Sequence, residues 1–231
     1  MEIKIEEGLE RRKGFAYLCG WLWMKVAGWK FDASNLPEYK KFVLIANPHT
    51  SNWDLPFMLG CSYLGGLRVS WLGKHTLFRG IGKPFFTWYG GVPVDRTAPK
   101  GMVHQVAEVI KSRDKIALAI PPAGTRRKTD GWKTGFYYIA LESGVPIIPT
   151  YLDWGTKRAG FGPAFFPTGD IEADFEVFKK FYEGMKGKYP EMQSPVKIRT
   201  KRTYEVDEVD LDSGGVQIFK DAVNSMRGKD Q

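Results

Sequence analysis

The chain has 231 residues, of which 43% are hydrophobic and 26% are charged. This length supports a core of its own, and this composition excludes a disordered or a collagen-like chain. Cys19 and Cys61 each lie in an apolar run, which argues against a disulfide scaffold and against a thiolate zinc site. The formal net charge of +8 favours an anionic partner, which leaves nucleic acid, an anionic membrane and phosphorylated substrates open.

The first predicted element is a helix near the N-terminus. Residues 1–10 are rich in glutamate, unlike the basic start of a signal peptide. From Phe15 to Trp29 the only charged residue is Lys25. A helix of this length reaches roughly 22 Å, which is short of the roughly 30 Å needed to cross the apolar core of a bilayer.

The composition of this helix predicts where it lies. Between residues 11 and 30 the chain has several basic residues and three tryptophans but no acidic residue. Apolar residues recur at spacings of three and four, as expected for an amphipathic helix. Basic ends and tryptophans around an apolar body are typical of a helix in the interface of an anionic membrane. We therefore assign residues 1–35 to an interfacial membrane helix; the alternative is a helix docked on the protein's own core.

Beyond this helix, strand-like and helix-like segments alternate. Strands are predicted at residues 41–47, 67–72, 92–96, 115–120 and 145–152, and helices at residues 52–64, 81–89, 99–113, 131–143 and 171–186. This alternation predicts an α/β fold with a mostly parallel mixed sheet flanked by helices. One domain is expected over residues 36–188, and residues 189–231, where the pattern weakens, are expected to form a solvated C-terminal extension of it.

The loop after the first of these strands carries His49 and Asp54, five residues apart. On a continuous helix they would lie about 140° apart, so they meet only if His49 sits in the turn before the helix and Asp54 in its first turns. A carboxylate bonded to one imidazole nitrogen leaves the other free to take a proton. No serine or cysteine nucleophile pattern is nearby, so this histidine is expected to activate a substrate hydroxyl or amine. The alternative is a structural histidine in a loop.

The loop after the central strand, residues 121–128, joins Gly124 and Thr125 to the consecutive cations Arg126, Arg127 and Lys128. A glycine, a hydroxyl and neighbouring guanidinium groups are typical of a phosphate clamp. Arg96 adds a cation at the end of another strand. In α/β sheets ligands bind beyond the carboxyl ends of the strands, so these loops together predict an anion-binding catalytic site. The alternative is that the cations only solvate a face.

Four segments resemble, in order, the motifs of the glycerolipid acyltransferases, the lysophosphatidic acid acyltransferase group. Residues 47–54 (NPHTSNWD) resemble the H-x4-D motif, and residues 122–126 (PAGTR) resemble the P-E-G-T-R motif. Lys74 with Leu77 and Phe78, and then residues 91–96 (GVPVDR), are similar to the second region of the family. Residues 145–149 (VPIIP) match its fourth motif, a strand with a proline.

The resemblance implies an acyltransferase domain over residues 36–188, attached as a peripheral, monotopic protein to the cytoplasmic face of the membrane. It implies transfer of a fatty acyl group from acyl-CoA or acyl carrier protein, a co-substrate and not a bound cofactor, to a hydroxyl or amine of a lysolipid or glycerol-phosphate-like acceptor. His49 would be the general base and Asp54 its orienting partner. The implied substrate-binding residues are Lys74, Arg96, Gly124, Thr125 and Arg126, with no metal.

One position departs from the family pattern, because Ala123 stands where the family usually has glutamate. A subgroup with another acceptor, an impaired enzyme and an engineered change are the three interpretations. Intact His49, Asp54 and Arg126 favour the first of them. Two other classes compete with the enzyme. A nucleic-acid-binding module lacks support, since no zinc spacing, RNP-type strand or helix-turn-helix pattern occurs. A catalytically impaired membrane scaffold of the same fold would use the same N-terminal helix.

Overall fold

A central sheet organises the computed structural model, which describes residues 14–80, 82–95 and 101–199. Within these residues the sheet has seven strands in the order β1-β7-β6-β2-β5-β3-β4. The β6–β7 pair is antiparallel and the other pairs are parallel, so the prediction of a mostly parallel mixed sheet is confirmed. The strands are β1 (Lys30–Asp32), β2 (Lys41–Ala46), β3 (Val69–Lys74), β4 (Gly91–Val94), β5 (Ile116–Ile120), β6 (Ile147–Asp153) and β7 (Arg158–Phe161).

Helices cover both faces of this sheet, as a mostly parallel sheet requires. The helices are α1 (Phe15–Val26), α2 (Asp54–Leu64), α3 (Gly82–Trp88), α4 (Gly101–Ser112), α5 (Gly135–Ser143) and α6 (Ile171–Phe181). On β2, Val43 and Ile45 pack into the cluster that contains α4, α5 and α6. Phe42 and Leu44 face the opposite side, where α2 contributes Phe57. The helices predicted at 131–143 and 171–186 are shorter than expected, and the short strands β1 and β7 were not predicted.

Helix α1 packs against α2 through two glycines. A Cβ atom on Gly20 would lie 2.9 Å from the carbonyl oxygen of Gly60, so only glycine allows this approach. Met24 is buried in the same contact. Apolar side chains also cover the outer side of the helix, where Phe15, Leu18, Leu22 and Val26 are all exposed. An amphipathic helix is therefore not confirmed, and its membrane contact stays a prediction.

The sequence pattern predicts that Trp29 belongs to this helix, and this prediction is wrong. Helix α1 ends at Val26, the chain turns at Gly28 with a φ of 71°, and β1 begins at Lys30. Trp29 is only 6% exposed because its ring packs against the rings of Phe57 and Trp154, with centroids 4.4 and 5.0 Å away. Trp29 is therefore a core residue. No helix in the described part of the chain is long and apolar enough to cross a membrane.

Residues 189–199 contact the domain, and the extension predicted over residues 189–231 stays a prediction. The Tyr189 amide donates to Thr50 Oγ1 at 3.1 Å, and buried Ser194 is hydrogen-bonded to Thr129 at 2.9 Å. Ile198 forms a parallel bridge with Trp132. The boundaries drawn at residues 35 and 188 stay predictions. Arg11, Arg12, Lys13 and the residues beyond 199 lie outside the described part.

Candidate active site

The predicted site loops follow strands that end at one edge of the sheet. Strands β2, β5 and β6 run parallel, and β2 pairs directly with both of the others. The loops after their carboxyl ends are therefore neighbours in space. They contain His49 after β2, residues 121–128 after β5 and Trp154 after β6. This topology, and not proximity in sequence, assembles the site.

His49 and Asp54 form the predicted pair. His49 Nδ1 lies 3.0 Å from Asp54 Oδ2. His49 occupies the loop before α2 and Asp54 is the first residue of that helix, as the spacing predicted. The backbone amides of Thr50 and Ser51 also donate to Asp54 Oδ2, each at 3.0 Å. The carboxylate thus fixes both the turn and the histidine ring.

Burial differs sharply within the pair. The Asp54 side chain is 1% exposed, whereas that of His49 is 20% exposed. Because Nδ1 faces the carboxylate, Nε2 is the ring nitrogen left to meet a substrate. A carboxylate at Nδ1 favours the tautomer in which Nδ1 carries the proton and Nε2 accepts one. This arrangement suits a general base held by a buried anion.

Trp154 completes the hydrogen bonding of the carboxylate, and the sequence analysis missed it. Its indole Nε1–H donates to Asp54 Oδ1 at 2.9 Å. Its ring packs edge-on against Trp29 and Phe57, and Lys188 Nζ lies 4.8 Å from its ring centroid. The only sequence signal was a tryptophan two residues after a predicted strand, at the edge where ligands bind.

The loop after β5 faces His49 across a cleft of about 680 Å³. Gly124, Thr125, Arg126 and Arg127 line one side, and residues 49–53 line the other. Gly124 has a φ of 68°, a conformation that L side chains rarely adopt, and its amide closes a turn onto the Pro121 carbonyl at 3.0 Å. Arg126 is exposed and borders this cleft, which gives the cleft a cationic wall.

Not every predicted site residue joins this cleft. Lys74 is exposed at the end of β3 and does not line it. Arg96 lies outside the described residues. Tyr189 and Met192, to which the sequence analysis gave no role, complete the lining. Among the described residues, no three His, Cys, Asp or Glu side chains are grouped so as to hold a metal ion.

Ala123 borders the loop that carries His49. It is half-buried against the core on the α4–α6 side of the sheet, and it lines a small gap together with Asn47 and His49. The Asn47 Nδ2 donor is buried and has no hydrogen-bond partner in the described structure. The side chain that departs from the family pattern therefore lies near an unpaired amide, and it offers no carboxylate.

A second, apolar cavity of about 250 Å³ lies on the α2 side of the sheet. Asn47 and Pro48, the residues directly before His49, line it beyond the carboxyl end of β2, and Trp88 and Tyr89, whose carbonyls accept from Arg68 and Trp71, line it near the start of β3. Its walls also include Leu44, Leu59 and Phe161. The site therefore combines a polar, cationic cleft with an apolar chamber on the two sides of one loop.

Comparisons with known proteins show the family to which the chain belongs. Residues 30–153 match the family model described as Acyltransferase. The 1-acyl-sn-glycerol-3-phosphate acyltransferase of Haemophilus influenzae is 33% identical over 122 residues, which cover 48% of each chain. Its namesake in Escherichia coli is 30% identical over 131 residues, or 52% of this chain and 50% of that protein. That of Limnanthes douglasii is 25% identical over 157 residues, or 62% and 55%.

This chain thus spans about half the length of the curated relatives that it matches. Among solved structures, the 1-acyl-sn-glycerophosphate (LPA) acyltransferase PlsC from Thermotoga maritima superposes with a TM-score of 0.54. The alignment covers 73% of this chain and 76% of that one, at 21% identity, which shows similarity of fold. The family match contains His49, Asp54, Thr125 and Arg126, and it ends with β6 at residue 153.

Proposed function

The chain belongs to the acyltransferase family, and we propose that it moves a fatty acyl group from a thioester donor to a hydroxyl of a lysolipid or glycerol-phosphate-like acceptor. The observation that carries this proposal is the His49–Asp54 pair, 3.0 Å apart at the edge of a cationic cleft. Acyl-CoA and acyl carrier protein are the two donor forms considered. The names of the relatives make 1-acyl-sn-glycerol 3-phosphate the first acceptor to test.

The proposed chemistry is direct transfer. His49 Nε2 takes the proton of the acceptor hydroxyl while the oxygen attacks the thioester carbonyl, and Asp54 stabilises the imidazolium that forms. The new ester C–O bond replaces the C–S bond, and the imidazolium returns its proton to the departing thiolate. A positioned general base contributes typically about 10²–10⁴-fold to the rate. No side chain is assigned as a nucleophile, so no acyl-enzyme is expected.

The cationic wall supplies a place for the acceptor's phosphate. Arg126, with Thr125 and the Gly124 backbone beside it, faces the His49 loop across the cleft. A guanidinium binds phosphate through two parallel hydrogen bonds, each shorter and stronger than a neutral one. A phosphate held there would leave the acceptor hydroxyl on the His49 side. Arg96 and Lys74 stay proposed contributors to the same anion.

The apolar cavity supplies a place for the acyl chain. It begins at Asn47 and Pro48, so a thioester carbonyl at His49 would direct its chain into this space. Each methylene buried there contributes about 0.8 kcal/mol to binding. Polar headgroup and apolar tail would thus be sorted to opposite sides of the catalytic loop. This sorting is a second reason for preferring lipid acyl transfer over other uses of the same pair.

The proposal includes peripheral attachment to the cytoplasmic leaflet through α1. Phe15, Leu18, Leu22 and Val26 expose a continuous apolar face, and Lys25 Nζ lies 4.6 Å from the ring centroid of Trp21. Apolar insertion resists salt, whereas attraction of cations to anionic lipid is screened by it. High salt should therefore weaken binding to anionic vesicles without abolishing it. Replacing Leu18 and Leu22 with Ser should weaken binding at every salt concentration.

A comparison of acceptors tests the proposed function. The full chain is mixed with acyl-CoA, or with acyl carrier protein carrying the same chain, and with vesicles containing a lysolipid. We expect mass spectrometry to detect the diacyl product with lysophosphatidic acid, and much less product with lysophosphatidylcholine, whose headgroup has no net negative charge. Vesicle binding without product from any donor–acceptor pair would contradict the enzyme and support the membrane scaffold.

A further inference from the structure

Helix α3 carries an exposed aromatic surface that the proposed reaction does not use. Phe85, Trp88 and Tyr89 are 59%, 71% and 40% exposed. We call these three residues the aromatic lip. The rings of Phe85 and Tyr89 are parallel within 3°, with centroids 6.3 Å apart. An exposed patch of this kind on a folded domain marks an interaction surface.

Contacts with the sheet hold the helix that carries the aromatic lip in place. Phe86, on the inner side of α3, packs edge-on against Trp71 and Phe78. Arg68 Nη2 donates to the Trp88 carbonyl at 2.9 Å, and the Trp71 indole donates to the Tyr89 carbonyl at 3.2 Å. These contacts hold the end of α3 against β3. The outward direction of the aromatic rings is therefore a property of the fold.

The charges around the lip indicate what it meets. No aspartate or glutamate occurs between Asp54 and Asp95, whereas Arg68, Arg79 and Lys83 lie in that interval and are exposed. Exposed aromatic rings on a segment that carries cations and no acidic residue match the headgroup region of an anionic bilayer. A protein partner would need acidic residues to complement these cations, whereas an anionic bilayer offers both the negative charge and the apolar depth.

The lip also borders the apolar cavity. Trp88 and Tyr89 line that cavity near the start of β3, at the end opposite to Asn47 and Pro48. Other lining residues, Leu44 and Phe161, lie on the sheet face that carries α2, which is also the layer that α1 joins. An acyl chain leaving a bilayer at the lip would therefore enter the cavity directly.

We propose that the aromatic lip inserts into an anionic bilayer and opens the apolar cavity to it, as a membrane contact separate from α1. This inference rests on the proposed function for the identity of the chain that enters. The occupant is a bilayer containing anionic lipid. If this proposal is right, the aromatic lip as well as α1 reaches the acyl-chain region of the bilayer.

Site-specific fluorescence tests the contact. Cys19 is replaced with Ser, and an environment-sensitive dye is attached through Phe85→Cys or, as the matched control, through Val177→Cys. Val177 is an exposed residue of α6, on the opposite face of the sheet. With vesicles of equimolar phosphatidylcholine and phosphatidylglycerol, nitroxide-labelled lipid should quench the dye at position 85 and leave the dye at position 177 unchanged.

Three outcomes decide the proposal. Quenching at 85 but not at 177 supports it. If the protein pellets with vesicles but position 85 is not quenched, the lip is refuted while attachment through α1 stands. If the protein does not pellet with the vesicles, the proposed membrane contacts of the lip and of α1 are both refuted.

The opening of the cavity has its own readout. Phe85→Glu places an anion in the lip without touching the cavity lining. The ratio of kcat/KM for a long-chain acyl-CoA bound to vesicles to that for a short-chain, monomeric acyl-CoA should fall about tenfold, because only the first donor delivers its chain from the bilayer. An unchanged ratio would overturn the role of the lip as an entrance. This ratio stays informative even if the variant is less active in general.

Discussion

The hydrogen bond from Trp154 to Asp54 gives a sharp test of how the site is held. Trp154→Phe keeps a ring against Trp29 and Phe57 but removes the donor 2.9 Å from Asp54 Oδ1. Hydrogen bonds to charged groups contribute about 1.5–3 kcal/mol, and this one serves a carboxylate that is almost fully buried. We expect the free energy of unfolding to fall by about that amount beyond the cost of the lost ring volume.

Trp29→Phe measures that cost, because Trp29 belongs to the same aromatic cluster and packs on the same rings. Both variants are unfolded in urea and then assayed for acyl transfer. For Trp154→Phe we expect kcat to fall about tenfold with little change in KM, since a less constrained Asp54 orients the imidazole less well. If the two variants lost equal stability and activity, Trp154 would be a packing residue only, and the reasoning would be refuted.

Three further predictions address the anion site, the core and the thiols. Arg126→Lys keeps the charge but loses the planar guanidinium group, so KM for a phosphate-bearing acceptor should rise about tenfold while KM for the donor changes little. If only KM for the donor changed, Arg126 would bind the donor and not the acceptor. Tyr182→Phe removes a buried hydroxyl that lies 3.0 Å from the carbonyl oxygens of Ile45 in β2 and Thr150 in β6, and it should lower the free energy of unfolding by about 1 kcal/mol in a denaturant titration. Burial raises the pKa of the Cys61 thiol to about 12, so a thiol reagent at pH 8 should label exposed Cys19 alone until the chain is unfolded; labelling of both in the native protein would contradict the burial.

Local features of the site could be read from the sequence. The five-residue spacing of His49 and Asp54, followed by a helix, defined the one arrangement in which they meet, with His49 in the turn before the helix and Asp54 in its first turns. Likewise, Gly124 and the arginine after Thr125 indicated a strand-end loop with an anion site. The resemblance to four ordered motifs then gave the family.

Features that depend on distant pairing could not be read in this way. Trp154 is 100 residues from Asp54, and their contact exists only because β6 lies beside β2. Strands β1 and β7 have three and four residues, too short for a periodic pattern. Trp29 kept the helical spacing, but the turn at Gly28 directs it into the core. Tyr189 lines the cleft because its amide donates to Thr50 Oγ1. The sequence after residue 188 has no clear apolar periodicity, so it did not indicate this contact.

The central claim is that His49, held by Asp54, is the general base of acyl transfer. The direct measurement is kcat for His49→Ala beside His104→Ala, with circular dichroism to confirm that each variant is folded. His104 makes a matched control, since it also pairs with a carboxylate, Glu142, at 2.6 Å, but on α4 on the other side of the sheet. We predict that His49→Ala lowers kcat by at least about 10²-fold and that His104→Ala leaves kcat within about twofold. Near-normal turnover by a folded His49→Ala variant would contradict the account.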